Sequence, residues 1–274
     1  MSSRSLSLRT AASIAAFCVS VSWSLATGTR AADVSARPLS SYFSGFHAAA
    51  VVKDAKSGSW ERLNPDQCRR RFVPASTFKI PNTLIGLETR VVPDLEYRIA
   101  WDGVGRPIES HNRDHTMRTA FRESAGWYYH EMARRVGVAR MREWVGRLGY
   151  GNQAVSGVDV RFWHSSLLIS ANEQVEFIQR LHRGALPVSA RSVGLLKEMM
   201  RVARSDRGSL YGKTGTDGYM RGEVQIATLG WFVGWVESGT QVRFFAANIT
   251  GGTNPTGRTV REAILRLSRD RGWL

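Results

Sequence analysis

The alternation of apolar and polar residues predicts strands near both ends of the chain and helices between them. Phe46 to Asp54 and Gly58 to Leu63 read as two strands joined by a turn at Lys56-Ser57-Gly58. Three further strands are predicted at Leu210 to Lys213, Val224 to Val236 and Val242 to Ile249. This order predicts a discontinuous α/β (α+β) domain with an inserted helical lobe.

Apolar residues three to four positions apart predict helices between the two groups of strands and one more after the last strand. The expected helical segments are Ile80 to Thr89, Ser124 to Val136, Ala139 to Leu148, Asn172 to His182, Ser189 to Val202 and Arg258 to Arg269. Ser170 and Glu173 have the spacing of a capping box at the start of the fourth. The residues Phe72 to Ala75, before the first, are expected to be extended.

The first 31 residues have the features of a secretory signal peptide. Arg4 and Arg9 precede an apolar stretch from Ala11 to about Ala26, and small residues lead to a cleavage site near Ala31. A membrane anchor is the alternative, but the stretch is short and rich in serine. We therefore expect a leader at residues 1–31 and one catalytic domain at 32–274, periplasmic or secreted and free of the membrane after cleavage.

Cysteine content and charge narrow the choice of function. Cleavage would remove Cys18 and leave Cys68 as the single thiol, so no intramolecular disulfide can form. It would also lower the formal net charge from +15 to +12. The 33 arginines are scattered rather than clustered, which argues against nucleic acid as a partner and favours small anionic ligands.

Ser76-Thr77-Phe78-Lys79 places a hydroxyl and an amine one helical turn apart, near the start of a predicted helix. Residues at positions i and i+3 share a helix face, so the lysine can reach the serine. A serine hydroxyl needs an adjacent base to become a nucleophile. A helix-capping serine is the structural alternative for Ser76 alone.

Two further motifs follow in order: Tyr150-Gly151-Asn152 and Lys213-Thr214-Gly215. The chain has only five lysines, and two of them, Lys79 and Lys213, fall within these motifs. Arginine cannot be deprotonated in proteins, so it could not serve as the base. Neither a paired-cysteine nor a His-Glu-x-x-His pattern is present, so no metal site is expected.

Together with Ser124, Trp163 and the segments Pro74 to Asn82 and Gly230 to Glu237, these motifs resemble the class D serine β-lactamases (oxacillinases). The resemblance runs from about Phe46 to the C-terminus. It implies an antiparallel sheet flanked by helices beside an all-helical lobe, as in serine β-lactamases and penicillin-binding proteins. It also implies hydrolysis of β-lactam antibiotics through an acyl-enzyme at Ser76.

The resemblance further assigns roles to individual residues. Lys79 would be N-carboxylated by carbon dioxide or bicarbonate, with no other cofactor, and would be the base. Ser124 would hydrogen-bond Lys79, and the Trp163 indole would donate to the carbamate. The backbone N–H groups of Ser76 and Thr216 would form the oxyanion hole.

The remaining roles implied by the resemblance concern substrate binding. Lys213 and Thr214 would bind the substrate carboxylate, Gly215 would allow close backbone approach, and Arg258 would assist, with Arg261 as the alternative arginine. Phe78, Tyr150 and Asn152 would shape the cleft.

Two positions depart from the family pattern. Gly126 stands where valine is usual, and His164 where leucine is frequent. Loss of an apolar side chain at position 126 is expected to hydrate the Lys79 amine and to make activity dependent on bicarbonate.

Two other functions stay open on the sequence alone. One is a β-lactam sensor that is acylated without turnover, and the other is a penicillin-binding transpeptidase or carboxypeptidase. The expected partners are small β-lactams, and the protein would be a monomer or a homodimer.

Overall fold

A six-stranded antiparallel sheet joins the two ends of the chain in this computed structural model, which describes residues 37–156, 162–222 and 224–274. The strands of the chain are β1 (His47–Asp54), β2 (Trp60–Leu63), β3 (Arg98–Ile99), β4 (His115–Thr116), β5 (Arg201–Arg204), β6 (Ser209–Arg221), β7 (Val224–Ser238) and β8 (Gln241–Thr250). The sheet has the order β2-β1-β8-β7-β6-β5, while β3 and β4 form a separate pair. N-terminal β1 pairs along its whole length with C-terminal β8, which confirms the predicted discontinuous α+β fold.

Helices occupy the interval between β2 and β5 and the C-terminus. They are α1 (Pro65–Arg69), α2 (Lys79–Glu88), α3 (Met117–Glu123), α4 (Gly126–Val136), α5 (Val138–Leu148), α6 (Ala171–His182), α7 (Ala190–Met200) and α8 (Gly257–Asp270). Short 3₁₀ turns lie at Leu39–Tyr42, Ala75–Phe78, Glu109–His111 and Phe162–His164.

Both faces of the sheet are buried, each in its own apolar cluster. Along β7, Trp231 and Val233 lie in the cluster shared with the helical lobe, whereas Phe232 and Val236 lie in the cluster shared with α8, which contains Ile264. Successive strand residues point to opposite faces, so a strand covered on both sides is apolar throughout. The continuous apolar run from Gly230 to Val236 is therefore the sequence of a central strand.

Several predicted boundaries are confirmed and others are wrong. The capping box at the start of α6 is present: Ser170 Oγ accepts from Glu173 N at 3.2 Å, and Glu173 Oε2 accepts from Ser170 N at 2.9 Å. The strand predicted at Leu210 to Lys213 instead extends over Ser209–Arg221, because it pairs with β7 along that length. The helix predicted to reach Val202 ends at Met200, where β5 begins.

Other local expectations were also incomplete. Helices α1 and α3 were not predicted, and the helix expected from Ser124 begins at Gly126. Ala75, expected to be extended, has φ +47° and belongs to a 3₁₀ turn. The expected leader, residues 1–31, lies outside the described residues. No helix in the described ranges is both long and apolar enough to span a bilayer.

Candidate active site

Ser76 lies in the 3₁₀ turn that leads directly into α2. Its hydroxyl accepts a hydrogen bond from Lys79 Nζ at 2.8 Å. Ser76 is partly exposed, whereas Lys79 retains only 4% of its accessible surface. The structure therefore brings the two residues of the first motif together, with the hydroxyl open to the cleft and the amine beneath it.

Side-chain hydrogen bonds from distant segments hold this turn. Thr77 Oγ1 donates to the Pro74 carbonyl at 2.7 Å and accepts from Gln174 Nε2 at 2.9 Å. Ala75 has φ +47°, a conformation that costs about 1–3 kcal/mol for a non-glycine residue and persists only where its surroundings enforce it. Gln174 is fully buried on α6, and the sequence analysis did not identify it. Its position within a buried helix face carried no chemical signal.

The indole of Trp231 provides a further anchor for the same turn. Trp231 Nε1 donates to the Val73 carbonyl at 3.0 Å, which ties the segment before Ser76 to the central strand β7. Trp231 is itself fully buried. The nucleophile turn is thus attached to the sheet on one side and to α6 on the other.

Burial lowers the pKa of Lys79 well below its ordinary value of 10.5, and the charge of Lys213 lowers it further. Both effects disfavour the ammonium form. The expectation that Gly126 hydrates this amine is therefore wrong: Lys79 is buried even though a Cβ at Gly126 would have open space around it. Neighbouring groups, among them the ring of Tyr129 at 5.3 Å from Nζ, cover the lysine instead.

Lys213 is the second buried lysine of the site. Its Nζ donates to Ser124 Oγ at 3.1 Å and to the Thr214 carbonyl at 3.1 Å. Burial, followed by the charge of Arg261, lowers its pKa to about 7. Ser124 was expected to bond to Lys79, but the structure pairs it with Lys213. Ser124 adopts φ +60° between α3 and α4, and this bend turns its hydroxyl toward β6.

Gly215 brings β6 into close contact with the nucleophile turn. A Cβ at this position would lie 3.0 Å from the Pro74 carbonyl oxygen and 3.2 Å from Ser76 N. Strand β5 pairs only with the start of β6, so the edge of β6 beyond Tyr211 faces the turn rather than another strand of the described sheet. Thr216 follows on this edge, and its hydroxyl accepts from Gly257 N at 3.0 Å.

Trp163 forms part of an aromatic cluster under the cleft. It is 2% exposed and stacks on Phe78 with ring centroids 5.2 Å apart. Phe78, expected to bind substrate, is itself 1% exposed and also packs against Phe162 and Tyr150. In this conformation Phe78 supports the residues around Ser76 from below.

The Tyr150-Gly151-Asn152 motif supports the loop that carries Trp163. Asn152 donates to the Ser166 carbonyl at 2.9 Å and accepts from Leu168 N at 2.9 Å. Gly151 has φ +56°, and a Cβ there would overlap the Leu168 carbonyl oxygen. Tyr150 is 1% exposed, and its hydroxyl approaches Gln174 at 3.4 Å. Tyr150 and Asn152 thus hold the cleft wall by contacts within the protein.

The two candidate carboxylate-binding arginines occupy different surroundings on α8. The Arg258 side chain is 88% exposed at the start of the helix and lies 3.6 Å from Glu262. Arg261 lines a cavity of about 280 Å³ together with Lys213 and Thr214. The structure thus places the alternative residue, Arg261, beside the Lys213-Thr214 pair.

His164, which follows Trp163, pairs with a residue of the opposite wall. Its Nδ1 lies 2.8 Å from Oδ1 of Asp217, two positions beyond Gly215 on β6. The sequence marked His164 as a departure from the family, but gave no sign of Asp217. In the parts of the chain that the structure describes, no group of three or more His, Cys, Asp or Glu side chains could hold a metal ion.

Comparisons with known proteins agree with this geometry. Residues 48–267 match the penicillin binding protein transpeptidase domain. The chain is 40% identical over 213 residues to a probable β-lactamase, YbxI, of Bacillus subtilis, covering 77% of each chain. It is also 40% identical over 204 residues to β-lactamase OXA-48 of Klebsiella pneumoniae, covering 74% of this chain and 75% of that one.

Solved structures of class D β-lactamases also superimpose on this chain. A class D β-lactamase from Bacillus subtilis superimposes with a TM-score of 0.81 at 34% identity, over 88% of this chain and 98% of that one. The class D β-lactamase BAT-2 superimposes with a TM-score of 0.80 at 34% identity, over 86% of this chain and 96% of its own. The chain therefore belongs to the class D β-lactamase family.

Proposed function

We propose that this protein hydrolyses β-lactam antibiotics through an acyl-enzyme at Ser76, with N-carboxylated Lys79 as the general base. The observation that carries the proposal is the 2.8 Å hydrogen bond between Lys79 Nζ and Ser76 Oγ, made by a buried lysine whose pKa is strongly lowered. A lowered pKa favours the neutral amine, which can accept the serine proton or react with carbon dioxide.

In acylation, Ser76 Oγ would attack the lactam carbonyl while Lys79 takes its proton. The C–N bond of the ring then breaks, and the nitrogen would take a proton from the Ser124 hydroxyl, which would recover one from the Lys213 ammonium that donates to its Oγ. The backbone N–H groups of Ser76 and Thr216 would stabilise the oxyanion. Donors of this kind contribute about 3–4 kcal/mol each when removed singly.

The surroundings of Lys79 suit an anionic derivative better than a cation. Lys213 lies close enough to lower the pKa of Lys79, and the same positive charge would stabilise a carbamate. The indole of Trp163, stacked on Phe78, offers a donor in this cluster. The carbamate would supply a base for both acylation and the activation of water in deacylation. Its formation consumes one carbon dioxide and releases one proton from the amine.

Lys213 and Thr214 would bind the substrate carboxylate, assisted by Arg258 or Arg261. Carboxylate binding restores the charged form of a lysine whose pKa is about 7, since an opposite charge favours the ammonium. The single variants Arg258→Ala and Arg261→Ala should show which arginine takes part. Loss of the arginine that binds the carboxylate should raise KM with little change in kcat.

Steady-state hydrolysis of a chromogenic cephalosporin by the purified mature chain tests the proposed function. Continuous turnover that rises with added bicarbonate is expected, together with a carbamate carbon signal in NMR after supply of ¹³C-bicarbonate. Lys79→Ala should lose both, while Lys56→Ala, at an exposed turn, should keep both. A single stoichiometric burst would instead indicate a sensor or a transpeptidase.

Covalent labelling identifies the nucleophile independently. Intact-protein mass spectrometry after exposure to a penicillin should show one adduct on the wild type and none on Ser76→Ala. A full adduct on the variant would assign the nucleophile to another residue.

We also infer that residues 1–31 direct export and are then removed. N-terminal sequencing of protein recovered from the periplasm or the medium should begin near Ala32. A mature protein that keeps Arg4 would contradict this inference.

A further inference from the structure

A histidine–aspartate pair spans the cleft at one end. His164 ends the 3₁₀ turn Phe162–His164 on the wall that carries Trp163, and Asp217 lies on β6. Their side chains meet at 2.8 Å and retain 37% and 24% of their accessible surface. The pair is thus ordered by a mutual contact and still open to a ligand.

Asp217 faces the same side of β6 as the groups that form the site. Alternate strand residues share a face, so Lys213, Gly215 and Asp217 point the same way. The register shift in the pairing of β6 with β7 occurs after Asp217, so the alternation holds to this position. Lys213 reaches Ser124, and Gly215 abuts Ser76 N. Asp217 lies two residues beyond Gly215, which is about 7 Å farther along the strand at roughly 3.3 Å per residue.

This order along β6 relates Asp217 to one part of the substrate, if the proposed function is correct. The substrate carboxylate would bind at Lys213 and Thr214, and the lactam carbonyl would lie against Ser76 and Thr216. In a penicillin the acylamino substituent is attached beside the lactam carbonyl, on the side away from the carboxylate. That substituent would therefore extend toward Asp217 and His164.

The Asp217 carboxylate would then interact electrostatically with a charged group on this substituent. A carboxylate carries a negative charge at neutral pH and has two acceptor oxygens. His164 contacts Oδ1 of Asp217. No side chain within residues 37–156, 162–222 and 224–274 donates a hydrogen bond to the second carboxylate oxygen, Oδ2. An ammonium group on the substituent would gain a charge-assisted hydrogen bond there, whereas a carboxylate would be repelled.

We propose that His164 and Asp217 form a specificity site that favours β-lactams with a cationic, aminoacyl side chain over those with a neutral or anionic one. Asp217 is the acceptor for the ammonium group. His164 holds the carboxylate in place from the opposite wall and so acts as a positioning residue.

Three penicillins that differ only at the carbon next to the side-chain carbonyl provide the test. Benzylpenicillin carries hydrogen there, ampicillin an ammonium and carbenicillin a carboxylate. Second-order rate constants for acylation of Ser76 are measured at pH 6.5 by quenched intact-protein mass spectrometry, which does not require turnover. For each variant, the rate constants for ampicillin and carbenicillin are divided by the rate constant for benzylpenicillin. The fraction of folded protein cancels in these ratios.

Asp217→Asn should lower the ampicillin-to-benzylpenicillin ratio about fivefold and raise the carbenicillin ratio about threefold, in line with a partly exposed ion pair. His164→Leu removes the contact to Asp217 and should lower the ampicillin ratio in the same direction as Asp217→Asn, whereas His164→Asn, which keeps a side-chain N–H near the position of Nδ1, should preserve it. Asp206→Asn removes the same charge from an exposed turn at the far end of β6 and should leave both ratios unchanged.

Unchanged ratios in Asp217→Asn would overturn the inference. So would an equal loss for all three penicillins, because the pair would then hold the loop without selecting the substituent. Failure of benzylpenicillin to label Ser76 in the wild type would overturn the proposed function itself, and this inference with it.

Discussion

Replacement of Gly215 by alanine tests whether the close approach of β6 sets the geometry around Ser76. The new Cβ would lie 3.0 Å from the Pro74 carbonyl oxygen and 3.2 Å from both Ser76 N and Thr77 Cγ2, where ordinary contact begins near 3.4 Å. The required displacement is therefore a few tenths of an ångström. Strand β6 cannot retreat freely, because Gly215 pairs with Trp231 on its other side.

The displacement should fall on the turn that carries the nucleophile. Overpacking of this kind costs about 1–3 kcal/mol, and about 1 kcal/mol lowers Tm by roughly 2–4 °C in a chain of this size. Small misplacements of reacting groups reduce rates by up to about 100-fold. We expect Gly215→Ala to slow acylation by benzylpenicillin about 10- to 100-fold, with a fall in Tm of a few degrees.

The assay compares the acylation rate, from intact-protein mass spectrometry, with Tm from thermal unfolding. Gly194→Ala is the matched control, because Gly194 lies on α7 and a Cβ there has open space. That variant should acylate at the wild-type rate and gain about 0.5–1 kcal/mol of stability. Wild-type acylation by Gly215→Ala would refute the argument that contact between this strand and the turn positions Ser76.

Gln174→Ala, which removes the donor to Thr77 Oγ1, should cost about 1–3 kcal/mol in chemical denaturation and lower kcat more than it raises KM; an unchanged kcat would contradict the positioning role. Lys213 has a pKa of about 7 when folded and near 10.5 when unfolded, so between these values the unfolded chain binds the extra proton. Stability should therefore rise with pH across this window, less steeply in Lys213→Met, while kcat/KM for a β-lactam falls above about pH 7; identical stability profiles for both proteins would refute the assignment. Gly126→Ala adds a Cβ into open space at the start of α4 and should raise stability by about 0.4–1 kcal/mol in thermal unfolding; a lower Tm would mean that this glycine is required.

Features that depend on near neighbours in the chain could be predicted from the sequence. The i, i+3 spacing of Ser76 and Lys79 sets their contact once a helix forms, and the capping box at Ser170 and Glu173 is a local exchange of hydrogen bonds. The strand predicted at Val224 to Val236 is present as β7, and its apolar run from Gly230 to Val236 follows from burial of both faces. These signals were enough for the fold class and for the motifs of the site.

Features that depend on distant segments were decided by the tertiary structure alone. The polar, glycine-rich second half of β6 has no strand pattern of its own, and it is extended because β7 pairs with it. The pairing of β6 with β7 also places Lys213 in contact with Ser124 and Asp217 in contact with His164. Both contacts join residues that are far apart in the chain. The sequence therefore determined which local elements form and which residues can react. Long-range packing decided which of those residues meet, because no local energy term distinguishes among their possible partners.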